Sequence, residues 1–347
     1  MHSTSKPSNL RAILLLAPAL SLGIVAAQAA GPDLRPVTLT IGIQNSGSSA
    51  AKAILEASHV FDGTPYKVVW ADFEGADTAV GALNAGAIDA DVGLNFSAPV
   101  LGQANSSHRW TAADRPYVII GADKSLDPAG TAIVVHPNSG IKTVNDLAGK
   151  SVSFAKGTAN HYFLALAAKK AGLDLAKVTP VLIPLTEARA AFVGRSVDGL
   201  VTAVSNARPL ITSGDGVILT TSEGLFDSYA WFVARPEVLK DPAREAALAD
   251  VLVRLQNANV WKAGHQDAVA AVYVKVAHQQ PKDAVLNAAI LSEFVPIDAA
   301  VVAANQDQAD VFLAAGVAQT KIDAGLEFDA RFNSVLAAKF PSSTAAK

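Results

Sequence analysis

Residues 149–172 read GKSVSFAKGTANHYFLALAAKKAG. From Lys150 to Ala155 small polar and apolar positions alternate, which predicts a buried strand. Lys156-Gly157 breaks it. From Thr158 the pattern restarts as a helix that runs to Gly172, a residue type that ends helices well. The first turn of this helix holds Thr158, Ala159, Asn160 and His161 and no acid. A strand that corners directly into a helix is one unit of a βαβ alternation, and the same pattern extends both ways along the chain.

Upstream, VTLTIGI (37–43), YKVVWADF (66–73), AIDADVGLN (87–95), YVIIGAD (117–123) and TAIVVHP (131–137) read as strands, with helical stretches between the first four. Downstream, VTPVLIPL (178–185), VDGLVTAV (197–204) and GVILTT (216–221) alternate with helices over 187–194 and 206–214, and SYAWFVARP (228–236) reads as a closing strand. From Asp241 the chain reads as almost wholly helical. Alternation of this kind means mostly parallel sheets. Two series followed by a helical tail predict two α/β lobes joined by a double-strand hinge through 131–136 and 228–235. The first lobe is expected over 37–130 and 236–340, and the second over 131–235.

The chain has 347 residues, half of them hydrophobic and 17% charged, enough for sizeable cores. Residues 1–29 have the three parts of a secretory signal peptide: Lys6 and Arg11 without an acid, the apolar run 12–25, and Ala27-Gln28-Ala29. The apolar run is too short, and broken by Pro18, for the roughly 20 residues of a spanning helix. A periplasmic protein is expected. The whole chain carries 28 Lys and Arg against 31 Asp and Glu, and loss of the leader removes two cations and no acid, leaving a net charge of −5. Nucleic acid is not an expected partner for such a chain. It has no cysteine, so disulfides, thiol nucleophiles and thiolate metal sites are ruled out. The histidines beyond the leader (His59, His108, His136, His161, His265 and His278) lack ligand spacing, and no metal or cofactor is expected. Gly149-Lys150-Ser151 looks like the end of a phosphate loop, but Val144 occupies the place of the first glycine and a strand, not a helix, follows.

In an open α/β sheet ligands bind beyond the carboxyl ends of the strands, where helix starts present free N–H groups and positive dipole ends. Candidate starts are Gln44-Asn45-Ser46-Gly47, Asn95-Phe96-Ser97, Thr158-Ala159-Asn160-His161 and Ser205-Asn206. All are rich in hydroxyls or amides and free of acids. Each could equally be ordinary capping, but several on one sheet face favour an anion site. A further start at Gly75-Ala76-Asp77 carries an acid, read as a cap pointing away. Trp231 reads as cleft wall or core. His161 reads as an anion donor or a supporting group, and Arg189 as an ion-pair partner or an anion ligand. Trp70, Trp110 and Trp261 read as packing residues.

VSFAKGTANHYFLALAAKKAGL (152–173) and TEARAAFVGRSVDGLVTAV (186–204), with ALNAGAIDA (82–90), TVNDLAGKSVSF (143–154) and DARFN (329–333), resemble the solute-binding proteins of ABC importers for aliphatic sulfonates, taurine and nitrate. The resemblance implies a type II periplasmic-binding-protein fold that closes on its ligand by a hinge, a permease partner in the inner membrane, no catalysis, and a monomer. It implies capture of a small organic anion, most readily an aliphatic sulfonate. Nitrate, a sulfate ester or a thiamine-precursor-like ring are the alternatives, and an enzyme on the same fold is a more distant one. Desulfinase-like relatives use a cysteine that this chain lacks. Sulfonate binders of the family commonly carry Trp-Asp-Pro where this chain has Ala203-Val204-Ser205, so the family's aromatic wall and carboxylate are missing. That loss argues against an amine-bearing ligand.

Overall fold

The structure is a computed structural model that describes residues 1–2, 34–44 and 50–339. Nearly all of the expected signal peptide lies outside the described residues. From residue 34 onward the chain forms one compact unit. No helix among the described residues is long and apolar enough to cross a membrane.

The first series is β1 (Thr38–Gln44), α1 (Ala51–Ser58), β2 (Lys67–Phe73), α2 (Ala76–Asn84), β3 (Ala90–Asn95), α3 (Ala98–Ala104) and β4 (Val118–Ser125). The second is β5 (Thr131–Val135), β6 (Ser151–Ser153), α4 (Ala159–Ala171), β7 (Thr179–Val181), α5 (Leu185–Val193), β8 (Gly199–Ala203), α6 (Val204–Ser213) and β9 (Val217–Thr221). The chain continues through β10 (Tyr229–Ala234), α7 (Pro242–Gly264), α8 (Gln266–Val276), α9 (Pro281–Ala288), β11 (Ser292–Val295), α10 (Ala299–Ala314) and α11 (Asn333–Lys339).

Two sheets result. The first has the order β11-β4-β10-β3-β1-β2 and the second β7-β6-β8-β5-β9. Within each, three strands run parallel (β1–β3 and β6–β8), while β10 and β5 pair antiparallel with β3 and β8 respectively. This is the two-lobed α/β architecture expected from the alternation.

The crossings differ in place from the expectation. β5 lies wholly in the second sheet and β10 wholly in the first. Residues 229–234 therefore belong with the first lobe, and the chain crosses through 126–130 and 222–228. The physical reason is pairing: β10 fills the slot between β3 and β4, where both its edges are hydrogen-bonded. The two crossings run side by side. Ser222 Oγ donates to Pro128 O (3.0 Å), Ser125 N–H donates to Ser228 O (2.9 Å), and Lys124 pairs with Asp227 (2.7 Å).

β11 is a second difference, since residues 292–295 read as helix in sequence. A short apolar run is ambiguous by periodicity alone. Here the open edge of β4 decides it, and Gln256 Oε1 accepts from the Phe294 N–H at 2.8 Å.

α7 shows why the tail returns to the first lobe. Leu248, Val251, Leu252 and Leu255 fall at i, i+3, i+4 and i+7, and all are buried against β4, β10 and β11. Asp241 caps it by accepting from Ala243 N–H, with Pro242 at the first helical position. The tail also touches the second lobe. Tyr162 Oη on α4 donates to Asp307 Oδ2 on α10 at 2.5 Å, and Arg208 Nε on α6 donates to Asn287 Oδ1 on α9 at 2.8 Å.

Asp91 on β3 is fully buried beside Gly42, where a Cβ would lie 2.3 Å from its Oδ2. Burial pushes its pKa up to about 7, partly offset by Gln44. The folded protein thus binds a proton here that the unfolded chain has released, so this group's contribution falls as pH rises from about 4 to about 7. Asp91→Asn should be more stable than the wild type at pH 8 by up to a few kcal/mol, since each tenfold difference in proton affinity between folded and unfolded chain corresponds to about 1.4 kcal/mol. At pH 4 the two should be level. Urea unfolding of both proteins across that range measures it. A difference that does not change with pH would contradict the burial of a titrating Asp91.

Candidate functional site

Between the two sheets lie two confluent hollows, of about 720 Å³ and about 650 Å³. They meet at Asn95, Thr158, Ala159 and Ser228. The first opens over the ends of β1 and β3 and the starts of α2 and α3. The second opens over β8 and the start of α6.

The start of α4 lies at this junction. Thr158 is its N-cap, in extended backbone conformation. Its Oγ1 accepts from Asn160 N–H (3.2 Å), and its hydroxyl proton goes to Ala155 O (2.8 Å). The hydroxyl is therefore spent on the corner itself and is not a free donor to a ligand, contrary to the expectation for Thr158. Tyr162 N–H donates to Thr158 O. The amides of Ala159 and His161 are left without a protein acceptor among the described residues. No acid stands in the first turn, and Lys169 and Lys170 stand in the last, in keeping with the helix dipole.

Gly157 precedes the cap at φ 73°, and a Cβ there would lie 2.7 Å from Leu101 Cδ1 on α3. Glycine is required twice over: by the left-handed backbone and by the approach of the two lobes.

Most of the residues read from sequence reach the cleft. Gln44 lines the first hollow, Asn95 both, and Phe96 the first. Thr158 and Ala159 line both hollows, and Asn160, Ser205 and Asn206 line the second. Asn45, Ser46 and Gly47 lie outside the described residues.

Three do not reach it. Ser97 is fully buried, with no partner for its Oγ among the described residues. His161 packs between Phe154 (4.8 Å) and Phe312 (5.8 Å), and its Nδ1 accepts from Gly157 N–H at 3.4 Å. Burial and the nearby Lys156 charge push its pKa down to about 4, so it is neutral at neutral pH and braces the corner from behind. The helical period explains this, since its side chain emerges about 100° per residue away from that of Ala159. Trp231 is fully buried, donates through Nε1 to Phe96 O (2.9 Å) and stacks on Tyr229 at 5.3 Å. It is core beneath the cleft floor, on the same face of β10 as Tyr229, with Phe96 (5.6 Å) and Tyr229 packed against it. Arg189 lines neither hollow and makes no ion pair among the described residues.

The charged lining was the least legible part. Asp77, read as pointing away, lines the first hollow; Gly75 caps α2, and no side-chain cap is made there. Lys156 also lines the first hollow, and Glu74 and Asp127 line the second. Ser228 and Tyr229, from the crossing segment, complete the floor. The only signal for Lys156 was its place beside Gly157. Nothing in the sequence marked Glu74 or Asp127, because the relative placement of two lobes decides what faces the cleft. The described lining thus carries three acids against one lysine, together with the amide and hydroxyl side chains of Gln44, Asn95, Asn160, Ser205 and Asn206.

Comparison with known proteins agrees with this geometry. Residues 73–223 match the family model described as NMT1/THI5 like. Over 323 residues the chain is 27% identical to a curated protein of Escherichia coli (strain K12) named for binding aliphatic sulfonates, a match covering 89% of this chain and 93% of that one. The crystal structure of the periplasmic aliphatic sulphonate binding protein SsuA from Escherichia coli matches with a TM-score of 0.74 at 25% identity, covering 85% of this chain and 92% of that one. The alkanesulfonate-binding protein SsuA from Xanthomonas axonopodis pv. citri, solved bound to MOPS, shares the fold with a TM-score of 0.70 at 24% identity, over 85% and 99% of the chains. The periplasmic nitrate-binding protein NrtA from Synechocystis PCC 6803 shares it with a TM-score of 0.68 at 13% identity, over 90% and 91%. The chain has the fold of the periplasmic binding proteins and is similar, along most of its length, to those that bind aliphatic sulfonates.

Proposed function

We propose that this protein captures a small organic anion, an aliphatic sulfonate, in the periplasm and presents it to the membrane permease of an ABC importer. The observation that carries the reading is the start of α4, where Ala159 lines the junction of the two hollows and the amides of Ala159 and, two residues further into the first turn, His161 lack protein acceptors among the described residues. A sulfonate has three acceptor oxygens in a tetrahedral head, and N–H donors at a helix start suit such a group. Hydrogen bonds to a charged group are worth about 1.5–3 kcal/mol each. Lys156 adds a cation at the same corner. The named relatives, which bind sulfonates, support the same head group.

Closure follows from the same contacts. Gly157 against Leu101, and Tyr162 against Asp307, join the second lobe to the first on the side of α4. A ligand held by α4 and by the ends of β1 and β3 binds the closed form better, and so shifts the hinge toward it. The reading is of a monomeric binder and not a catalyst.

The acids of the lining add a second possibility for the solute's other end. Glu74, Asp77 and Asp127 face the hollows, so an amine-bearing sulfonate has partners here that Ala203-Val204-Ser205 did not suggest. Calorimetric titration of ethanesulfonate and taurine separates the two readings of the tail, and nitrate serves as the competing head group.

Thr158→Asp keeps a good capping residue but puts a negative charge at the dipole end, and should weaken sulfonate binding by about ten- to a hundredfold while leaving the fold intact. Thr158→Ala removes the cap, and should cost about 1 kcal/mol of stability with a smaller loss of affinity than Thr158→Asp. Gly157→Ala should weaken binding several-fold, because α3 and the corner must part to admit the methyl. Unchanged sulfonate affinity in Thr158→Asp, with the melting temperature also unchanged, would show that the anion sits elsewhere.

A further inference from the structure

Behind the α4 corner, a hollow of about 500 Å³ lies between the second lobe and the C-terminal end of α10. Phe154, Leu175, Val178 and Leu182 wall it from the second lobe, and Val317 faces them from the tail that belongs to the first. Lys156 is shared with the first hollow of the cleft and Phe154 with the second; the rest of the lining reaches neither. The wall is mostly apolar, and Leu182 is left 49% exposed.

His161 opens into this hollow, although its ring is only 7% exposed. Nδ1 accepts from Gly157 N–H, so the neutral ring carries its proton on Nε2. That N–H has no protein acceptor among the described residues. Phe154, Phe312 and the Gly157 corner enclose the rest of the ring, so an acceptor has to come from the hollow. Lys156 also lines the hollow, close enough for its charge to act on the ring, and makes no ion pair among the described residues. Asp174 is the acid of the lining. Its Oδ1 accepts from Ala176 N–H at 3.1 Å, as the cap of the turn Leu175–Lys177.

Chemistry narrows what would fill the hollow. A cation is repelled by Lys156. A wholly apolar molecule leaves the His161 N–H unmet, and an anion without an apolar body gives up its hydration to a wall that offers no hydrogen bonds. A carboxylate has two oxygens, one for the imidazole N–H and one for the ammonium. A sulfonate would turn its third oxygen against the apolar wall. We propose that this hollow is a second ligand site, separate from the solute cleft, that takes a short-chain aliphatic carboxylate. His161 Nε2–H and Lys156 hold the head, and Val178, Leu182 and Val317 cover the chain. The assignment does not depend on what the cleft holds.

Calorimetric titration of the full mature chain with hexanoate tests it, in the wild type, Leu182→Asp and His161→Asn. Hexanoate should bind the wild type saturably, with a Kd of about 1 mM or tighter. Hexan-1-ol, with the same chain and no charge, should bind at least about tenfold more weakly. Leu182 lines this hollow and neither hollow of the cleft, so Leu182→Asp, which puts a like charge on the wall, should weaken hexanoate at least about tenfold. His161→Asn offers an amide oxygen to the Gly157 N–H in place of Nδ1 and removes the donor that faces the hollow. It should weaken hexanoate about tenfold, the loss of one charge-assisted hydrogen bond. Thermal melts verify folding, and Leu182→Asp, at an exposed position, decides the matter if His161→Asn does not fold. No saturable binding of hexanoate to the wild type, or binding that Leu182→Asp leaves unchanged, would overturn the site. Either result leaves the cleft reading standing, which titration of ethanesulfonate tests by itself.

Discussion

An anion in a cleft whose lining carries more acids than bases must be held by something other than side-chain charge. In the function proposed here that holder is the start of α4. The helix begins at a corner where Thr158 satisfies the Asn160 amide and ties itself to Ala155, leaving the next amides open. The donors need no rotamer to be frozen and carry the helix dipole behind them, so they are organised before a ligand arrives. Under the same proposal Glu74, Asp77 and Asp127, which line the hollows, would disfavour a second negative group and tolerate a cationic or neutral tail.

The rest of the fold serves to keep that corner in place and to let it move as a unit. His161 gives up a charged role to accept from the Gly157 amide while it packs between Phe154 and Phe312. Gly157 faces the first lobe at a point where a Cβ would lie 2.7 Å from Leu101 Cδ1. Tyr162, one residue further along, reaches Asp307 on the tail. Three successive features of one short segment thus couple ligand, corner and lobe contact. The two crossings at 126–130 and 222–228, cross-linked by Ser222, Ser125 and Lys124–Asp227, form the strap about which the lobes turn.

Fold class was legible because it depends on local pattern. The alternation of β-branched runs with helical periods, and the glycines ending the helices, identify two α/β series without any knowledge of contacts. What failed were choices made by pairing across the molecule. β10 belongs to the first sheet because it fits between β3 and β4, and β11 exists because β4 had a free edge. Site residues followed the same division. Asn95, Thr158, Ala159, Asn160, Ser205 and Asn206 line the hollows as expected, because helix starts at strand ends can be read locally. Trp231 and His161, each open to two readings in the sequence, pack inward, because their neighbours in the fold and not their residue type decide what a side chain faces.

The central claim is the position of one atom. Met1 is the single sulfur-containing residue of the chain, so a crystal of the mature protein grown in sulfate-free conditions with an alkanesulfonate should contain sulfur only in the ligand. An anomalous difference map at the sulfur wavelength then reads the head group directly. The account predicts one peak at the start of α4, about 3.5–4 Å from the Ala159 and His161 amide nitrogens, as N–H···O–S bonding requires. A peak elsewhere in the cleft, or outside it, would contradict it.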